Sequence, residues 1–307
     1  MDKKKKKSLI IYSIIVSSAL VVGGLGGFLA KRYLGQEITD ESTLDPNDYK
    51  MDTSELMDRY NSFSGTSYDK EFTAAEMINI ALEKYRTSNN CYSYGIGVAH
   101  AKSLGINIEQ SIRNSQIKNG DVYFEESISK SSMVGVATRA IQNGASGDIE
   151  LYFQQSTSKV TSEKAVFDMQ ATIVEHNAYR QAWGKTLDEM FIYIISNKTV
   201  ESKNITRDGT YYLVEVNLYA DIAAYNYKTQ MVTISNLDGR PTFDSINLKY
   251  TLSSQLDLLQ LHCDEKYQAS MGVNANIHNE IDYYYHVDSY LQIPEINESF
   301  DYSMKGE

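Results

Sequence analysis

The sequence predicts an α+β protein in which a curved antiparallel sheet, of half-barrel form, is covered by helices and preceded by a single N-terminal transmembrane helix. Three observations predict it. Residues 9–30 are uncharged and follow directly on five lysines, Lys3 to Lys7. From residue 92 onward, stretches of alternating apolar and polar residues recur between Asn-Gly and Gly-rich breaks. Stripes of helical period precede and interrupt them, and two capping-box patterns stand beside these stripes.

The N-terminal apolar run spans 22 residues. At ~1.5 Å rise per residue it reaches roughly 33 Å, enough to cross the ~30 Å hydrocarbon core. A cleaved signal has a shorter apolar region and a small-x-small site; Phe28 and Ala30 stand at the key positions, and Phe fits poorly there. The length therefore favours a retained anchor. The first cysteine is Cys91, which excludes lipidation at the end of the run. The lysine block outnumbers Lys31 and Arg32, so the N-terminus is expected inside a plasma membrane crossed once, with the rest extracytoplasmic. Gly23 and Gly27 make a GxxxG, readable either as a dimerisation face or as part of a small-residue cluster.

The expected domains are a cytoplasmic basic segment (1–8), the anchor (9–30), a polar acidic stalk (31–70), an extracytoplasmic domain (71–290) and a C-terminal tail (291–307). Positions 33–307 carry 22 basic and 39 acidic residues, a net charge of −17. Such a surface repels phosphate backbones and anionic headgroups, which excludes nucleic acid as a partner. About 240 residues can bury an adequate core without staples, so a Cys91–Cys263 bridge and two buried free thiols both stay open.

Each element of the domain has a local reason. Stalk residues 35–70 are rich in Asp, Glu, Ser, Thr and Asn, with a turn signal at Asp45-Pro46-Asn47, and suit extended or loosely helical chain. Thr73-Ala74-Ala75-Glu76 is a capping box. Met77, Ile78, Ala81, Leu82 and Tyr85 then recur at helical spacing, predicting an amphipathic helix over 73–86. A strand over 92–101 places Tyr92, Tyr94, Ile96, Val98 and His100 on one face. Ser93, Gly95, Gly97, Ala99 and Ala101 fall on the other, where small residues admit a bend or a close neighbour. Strands follow over 106–118, 121–129, 132–142 and 148–156, separated by hairpin breaks that make sequence neighbours antiparallel.

The middle of the chain turns helical. Ile173, His176, Tyr179 and Trp183 share a stripe, and Thr186-Leu187-Asp188-Glu189 is a second capping-box pattern. Residues 190–195 are apolar throughout and read equally as helix or buried strand. A strand over 210–218 opens at the Asp208-Gly209 turn. A helical stripe of Ala223, Tyr227, Met231 and Ile234 runs through 221–234, and strands return over 243–252, 256–267 and 273–287. The last spans about 50 Å at ~3.3 Å per residue, and meanders of such strands coil.

This order, with Tyr179-Arg180-Gln181-Ala182-Trp183-Gly184 inside the helical insertion and paired strands within 211–234 and 241–267, resembles the LolA/LppX-type lipoprotein-carrier superfamily over residues 70–290. The resemblance implies an incomplete antiparallel barrel in the bacterial cell envelope, closed by helices and holding acyl chains. It carries over no functional residue, and a membrane helix stands where the secreted members have a lipidated cysteine.

No residue pattern dictates a reaction. His278, Glu280, Asp282, His286 and Asp288 occupy even positions of one strand, and Ile277, Ile281, Tyr283 and Tyr285 odd ones, with Asn279 the exception. That alternation is a half-buried strand with a solvated face. His278 and His286 lie about 26 Å apart along it, too far for one metal. Leu259, Leu261 and Cys263 alternate with Gln260, His262 and Asp264 in the same way, so His262 and Asp264 read as a surface pair. Nothing beside Cys263 would lower its pKa. The sequons at Asn197, Asn204 and Asn297 are of a kind common residues produce by chance. The chain has no HExxH, GxSxG, Walker loop or GxGxxG. Catalytic, metal and cofactor sites are therefore not expected, nor is an enzyme. The expected function is binding of a lipid or other apolar envelope ligand, with Tyr-rich strands at the cavity mouth. The alternative is a structural or signalling ectodomain that binds a protein partner without a cavity.

Overall fold

The structure, a computed structural model, describes residues 45–303 apart from Thr66, Met169, Asn236, Met271 and Gly272. The expected anchor, the lysine block and the first part of the stalk lie outside the described residues. Among the described residues no helix is long and apolar enough to cross a membrane.

Strands β1 (Asn90–Ser103), β2 (Ile106–Asn119), β3 (Val122–Ser131), β4 (Gly135–Asn143), β5 (Ile149–Ser156) and β6 (Thr172–Val174) form one half of the fold. Strands β7 (Val200–Asp208), β8 (Tyr211–Leu218), β9 (Thr242–Leu252), β10 (Leu258–Ser270) and β11 (Asn274–Val287) form the other. All join one antiparallel sheet in the order β6-β5-β4-β3-β2-β1-β11-β10-β9-β8-β7, so two meanders meet where β1 pairs with β11. The sheet is open: β6 and β7 lie at opposite edges and it does not close into a barrel. Glycines at the tight connections adopt left-handed backbone, as at Gly120 and Gly209 with φ of 58° and 60°, which a Cβ would oppose.

Among the described residues few α-helices accompany the sheet. They are α1 (Thr53–Ser62), α2 (Tyr68–Glu71), α3 (Ala74–Thr87), α4 (His176–Trp183), α5 (Ala220–Ala223) and α6 (Tyr225–Ser235). The expected capping box is complete at α3: Glu76 N–H donates to Thr73 Oγ1 at 3.2 Å, and Thr73 N–H to Glu76 Oε2 at 2.8 Å. Part of the polar segment before it is also helical. Asp52 caps α1, Leu56 is buried, and Arg59 pairs with Glu76 at 2.7 Å. Helix α4 is shorter than its predicted stripe, because Ile173 belongs to β6, where it is exposed. The stripe over 221–234 is split into α5 and α6, and the side chain of Ile234 lies outside the described residues.

Alternation assigns the two faces. On the inner, helix-covered face, α3 packs on Leu248, Tyr250 and Leu261, α6 on Ala99, Ile112 and Ile277, and α4 on Val136, Ile149 and Leu151. Helices α4 and α6, contributed by the two halves, touch across that face. On the outer face, Tyr94, Ile117, Phe124 and Ile128 are covered by Phe167 and by Phe300 and Tyr302 of the C-terminal tail. Arg139 and Glu126 hold this tail: they pair at 2.6 Å, Arg139 donates to the carbonyls of Glu295 and Glu298, and Glu126 accepts from Phe300 N–H.

Candidate functional site

The residues between α4 and β7 build one wall of an interior site. Gly184 ends α4 in left-handed backbone, and a Cβ there would lie 2.4 Å from the Asn226 carbonyl oxygen, so this position requires glycine. Residues 184–195 then cross the inner face as an irregular strap, neither of the helix and strand alternatives open for 190–195. Half of the predicted box forms, with Thr186 N–H donating to Glu189 Oε2 at 2.9 Å. No helix follows, because Met190 has a φ of 58° and turns the chain away. Tertiary bonds hold the strap instead: Gln116 donates to the Met190 carbonyl at 2.9 Å, Asn79 to that of Ile195 at 2.8 Å, and Ile194 N–H to that of Ala223 at 2.9 Å.

Between strap and sheet lies a cavity of about 190 Å³. Met190, Phe191 and Tyr193 of the strap line it, with Trp183 and Leu82 from the helices. The sheet contributes Ile112, Tyr250, Leu261, Ile281, Tyr283 and Tyr285, so strands of both halves face one hollow. The lining is apolar and aromatic with a few convergent polar groups, as small-molecule sites are. Tyr side chains do gather here, as do Tyr123 and Tyr179 beside it in the core. Their hydroxyls are no acids, since burial pushes Tyr283 and Tyr250 well up.

Three polar groupings face the cavity. At the first, Tyr283 of β11 lies across Gly95 of β1, where a Cβ would come within 2.6 Å of its ring, and its hydroxyl accepts from Asn114 Nδ2 of β2 at 3.2 Å. Ser127 of β3 donates to Asn114 Oδ1. The small face predicted for β1 thus admits a neighbour's ring. At the second, Lys185 pairs with Glu125, which also accepts from Gln116 Nε2 at 2.8 Å.

The third grouping is the least expected. Glu265 of β10 is buried, 4% exposed, on the inner face. It accepts from the Cys263 thiol at 3.2 Å and from Asn279 Nδ2 at 3.5 Å, and Asn279 also donates to the Tyr267 hydroxyl at 3.4 Å. With no cation beside it among the described residues, burial pushes the Glu265 carboxyl up to about 8, so it is protonated at neutral pH. Burial likewise pushes the Cys263 thiol up to about 12 and Cys91 to about 11, and both cysteines are free and buried. Residue alternation could have found Glu265: it continues the inward series of Leu261 and Cys263, where an acid is out of place. Asn279, noted in sequence as the exception on its face, proves to be its partner.

The polar residues of the outer face are brought together across strands. His262 Nδ1 lies 2.7 Å from Asp282 Oδ1, and His278 Nε2 lies 3.0 Å from Asp264 Oδ1. The intrastrand pairing of His262 with Asp264 is replaced by cross-strand contacts: His262 stands opposite Asp282, and His278 lies diagonal to Asp264, which stands opposite Glu280. Asp264, His278 and Glu280 bring ligand atoms within 4.8 Å of one another at the surface. His286 instead stacks on Tyr92, with ring centroids 4.2 Å apart, and Asp288 accepts from Ser88.

No protein-family model matches the sequence, and no curated protein matches it. Among solved structures, the chain is similar to a DUF1329 family protein from Desulfovibrio piger at 11% identity, over 71% of this chain and 93% of that one, with a TM-score of 0.28. It is also similar to MucB in complex with MucA(peri), at 9% identity over 68% of this chain and 93% of that one, with a TM-score of 0.11. At these TM-scores neither likeness bears on fold or function.

Proposed function

We propose that the chain is a plasma-membrane-anchored, extracytoplasmic binding protein for a lipid or other apolar envelope ligand, and not a catalyst. The observation that carries this reading is the largely apolar hollow between the inner face of the sheet and the strap over 184–195. The half-barrel form expected from the LolA/LppX-type resemblance suits the same use. Binding is at equilibrium, with the apolar body of the ligand in the hollow and aromatic side chains around it. The hollow of about 190 Å³ is below the ~300–1,000 Å³ of sites for drug-sized ligands, so a full acyl chain enters only if the strap moves outward. The strap is built for that, being held by hydrogen bonds to carbonyls rather than by a continuous ladder. The high thiol pKa of Cys263 opposes a nucleophilic role, and the acidic surface opposes nucleic acid.

The small volume also favours a second reading, a protein-binding ectodomain without a ligand. Strand β7 supports it, since its outer edge is unpaired in the sheet and most of its residues are exposed. Lipid mass spectrometry on an organic extract of purified residues 33–307, exported through a membrane, separates the two. A stoichiometric co-purifying lipid is expected. An empty, folded domain that also fails to take up fluorescent fatty acid refutes the binding reading and leaves the protein-partner one.

A further inference from the structure

We propose that Asp264, His278 and Glu280 form a binding site for a divalent transition-metal ion of the Zn²⁺ class, on the outer face of the sheet and away from the cavity. His278 Nε2 lies 3.0 Å from Asp264 Oδ1 and 3.9 Å from Glu280 Oε1. Ligand atoms of all three residues lie within 4.8 Å of one another. Donors held ~2.0–2.1 Å from a tetrahedral ion are roughly 3.4 Å apart, so the two imidazole contacts bracket the spacing the ion needs. The side chains are part-exposed and close the small remaining mismatch by rotation. Asp264 stands directly opposite Glu280, and His278 follows two residues away on the same face of β11. Spacing along one strand excludes a shared metal for His278 and His286, but it does not see a carboxylate contributed by the next strand.

The charge pattern calls for a cation at this place. Asp264 and Glu280 are register partners, and like charges directly opposite one another destabilise a sheet. Their other neighbours along the same row are Asn247 on β9 and Val98 on β1, neither of which offsets them. Among the described residues neither carboxylate pairs with a lysine or arginine, and Lys266, which stands opposite His278, bonds to neither. A metal ion between the two carboxylates removes the repulsion and takes the imidazole as its nitrogen ligand. That nitrogen sets the metal class, since Mg²⁺ and Ca²⁺ prefer oxygen ligands throughout. The neighbouring histidines are engaged elsewhere, His262 with Asp282 at 2.7 Å and His100 with Glu109 at 3.7 Å. The site therefore has three protein ligands, and water completes the coordination.

Full-length protein without a histidine tag, held in a non-ionic detergent micelle, is titrated calorimetrically with Zn²⁺ at neutral pH, and separately with Ca²⁺ and Mg²⁺. One Zn²⁺ per chain is expected, bound at least about tenfold tighter than either of the other two ions. His278→Gln and Asp264→Asn should each weaken Zn²⁺ by about tenfold or more. His262→Gln, in the neighbouring pair, should leave it unchanged. Zn²⁺ should also raise the unfolding temperature of the wild type and not that of His278→Gln. Zn²⁺ binding that survives His278→Gln overturns the proposal, as does the absence of saturable binding. Affinity no greater for Zn²⁺ than for Ca²⁺ overturns it too, by reducing the patch to counterion screening. That last comparison needs no variant, so it decides even where a substituted chain fails to fold.

Discussion

Replacing Glu265 by Gln tests the most unusual group in the molecule. The carboxyl moves from an ordinary value of 4.5 to about 8 on folding because burial disfavours its charge. Between those two values the folded protein keeps a proton that the unfolded chain has already lost, so stability falls as pH rises through this window. Below it both states are protonated, above it both are ionised, and in neither range does Glu265 add slope. The loss is ~1.4 kcal/mol per pH unit, roughly 5 kcal/mol across the whole window. Gln keeps the size and the hydrogen-bonding capacity but never ionises. Urea denaturation of both proteins at a series of pH values gives the difference in unfolding free energy, and contributions of Glu126, Cys263 and His286 cancel because both share them. The two should agree within about 1 kcal/mol at the acid end, with the variant gaining steadily to several kcal/mol by about pH 9. A difference that does not change with pH would show Glu265 ionised with an ordinary pKa, and the account of its burial would fail.

Three further outcomes are expected. Gly97→Ala places a Cβ 2.3 Å from the Glu280 carbonyl oxygen on the neighbouring strand and should cost about 1–3 kcal/mol in urea denaturation; a neutral effect would contradict the close β1–β11 approach. Arg139→Met leaves the Glu126 carboxylate buried and unpaired, costing roughly 3–5 kcal/mol and loosening the tail in hydrogen exchange, whereas adding Glu126→Leu should recover most of the loss. A loss under ~1 kcal/mol for the single change would remove the pair from its clasp role. Cys91 and Cys263 should both resist a thiol reagent in the native protein and react only at the rate of unfolding, so fast native labelling of either would refute its burial.

What was legible in the sequence is what local chemistry decides. Thr73 and Glu76 need only each other and the first turn of α3, and the turn glycines need only their own backbone. The alternating strands were legible for a related reason, since one buried face imposes period two on β8 through β11. Strand β7 was not, because both its faces are exposed at the sheet edge and burial imposes no period on it. Its one signal was the Asp208-Gly209 turn, which implies a strand before it as well as after. The strap over 184–195 was undecidable because its conformation is set by side-chain amide donors of α3 and β2 and a carbonyl of α5, all remote in sequence. The same remoteness hid the pairing of His262 with Asp282, which depends on strand register rather than on spacing.

The hollow has a cause in the central strand. β1 is the sixth of eleven strands and the one through which the two meanders join, so its inner side chains would fill the middle of the covered face. Over its middle they are Ser93, Gly95, Gly97, Ala99 and Ala101, and of these only Ser93 lines the cavity. Space at the centre is therefore conceded by β1 and then partly taken by Tyr283, which fills the gap over Gly95 and ties β11 to β2 through Asn114. A larger residue at Gly95 would push that ring into the hollow or out of its bond. The size of the site is thus set at β1, while its polarity is set in part at Asn279 of β11 and Glu265 of β10. Gly95→Ala should therefore shrink the cavity and weaken the uptake of fluorescent fatty acid, and unchanged uptake would refute this account of the cavity's size.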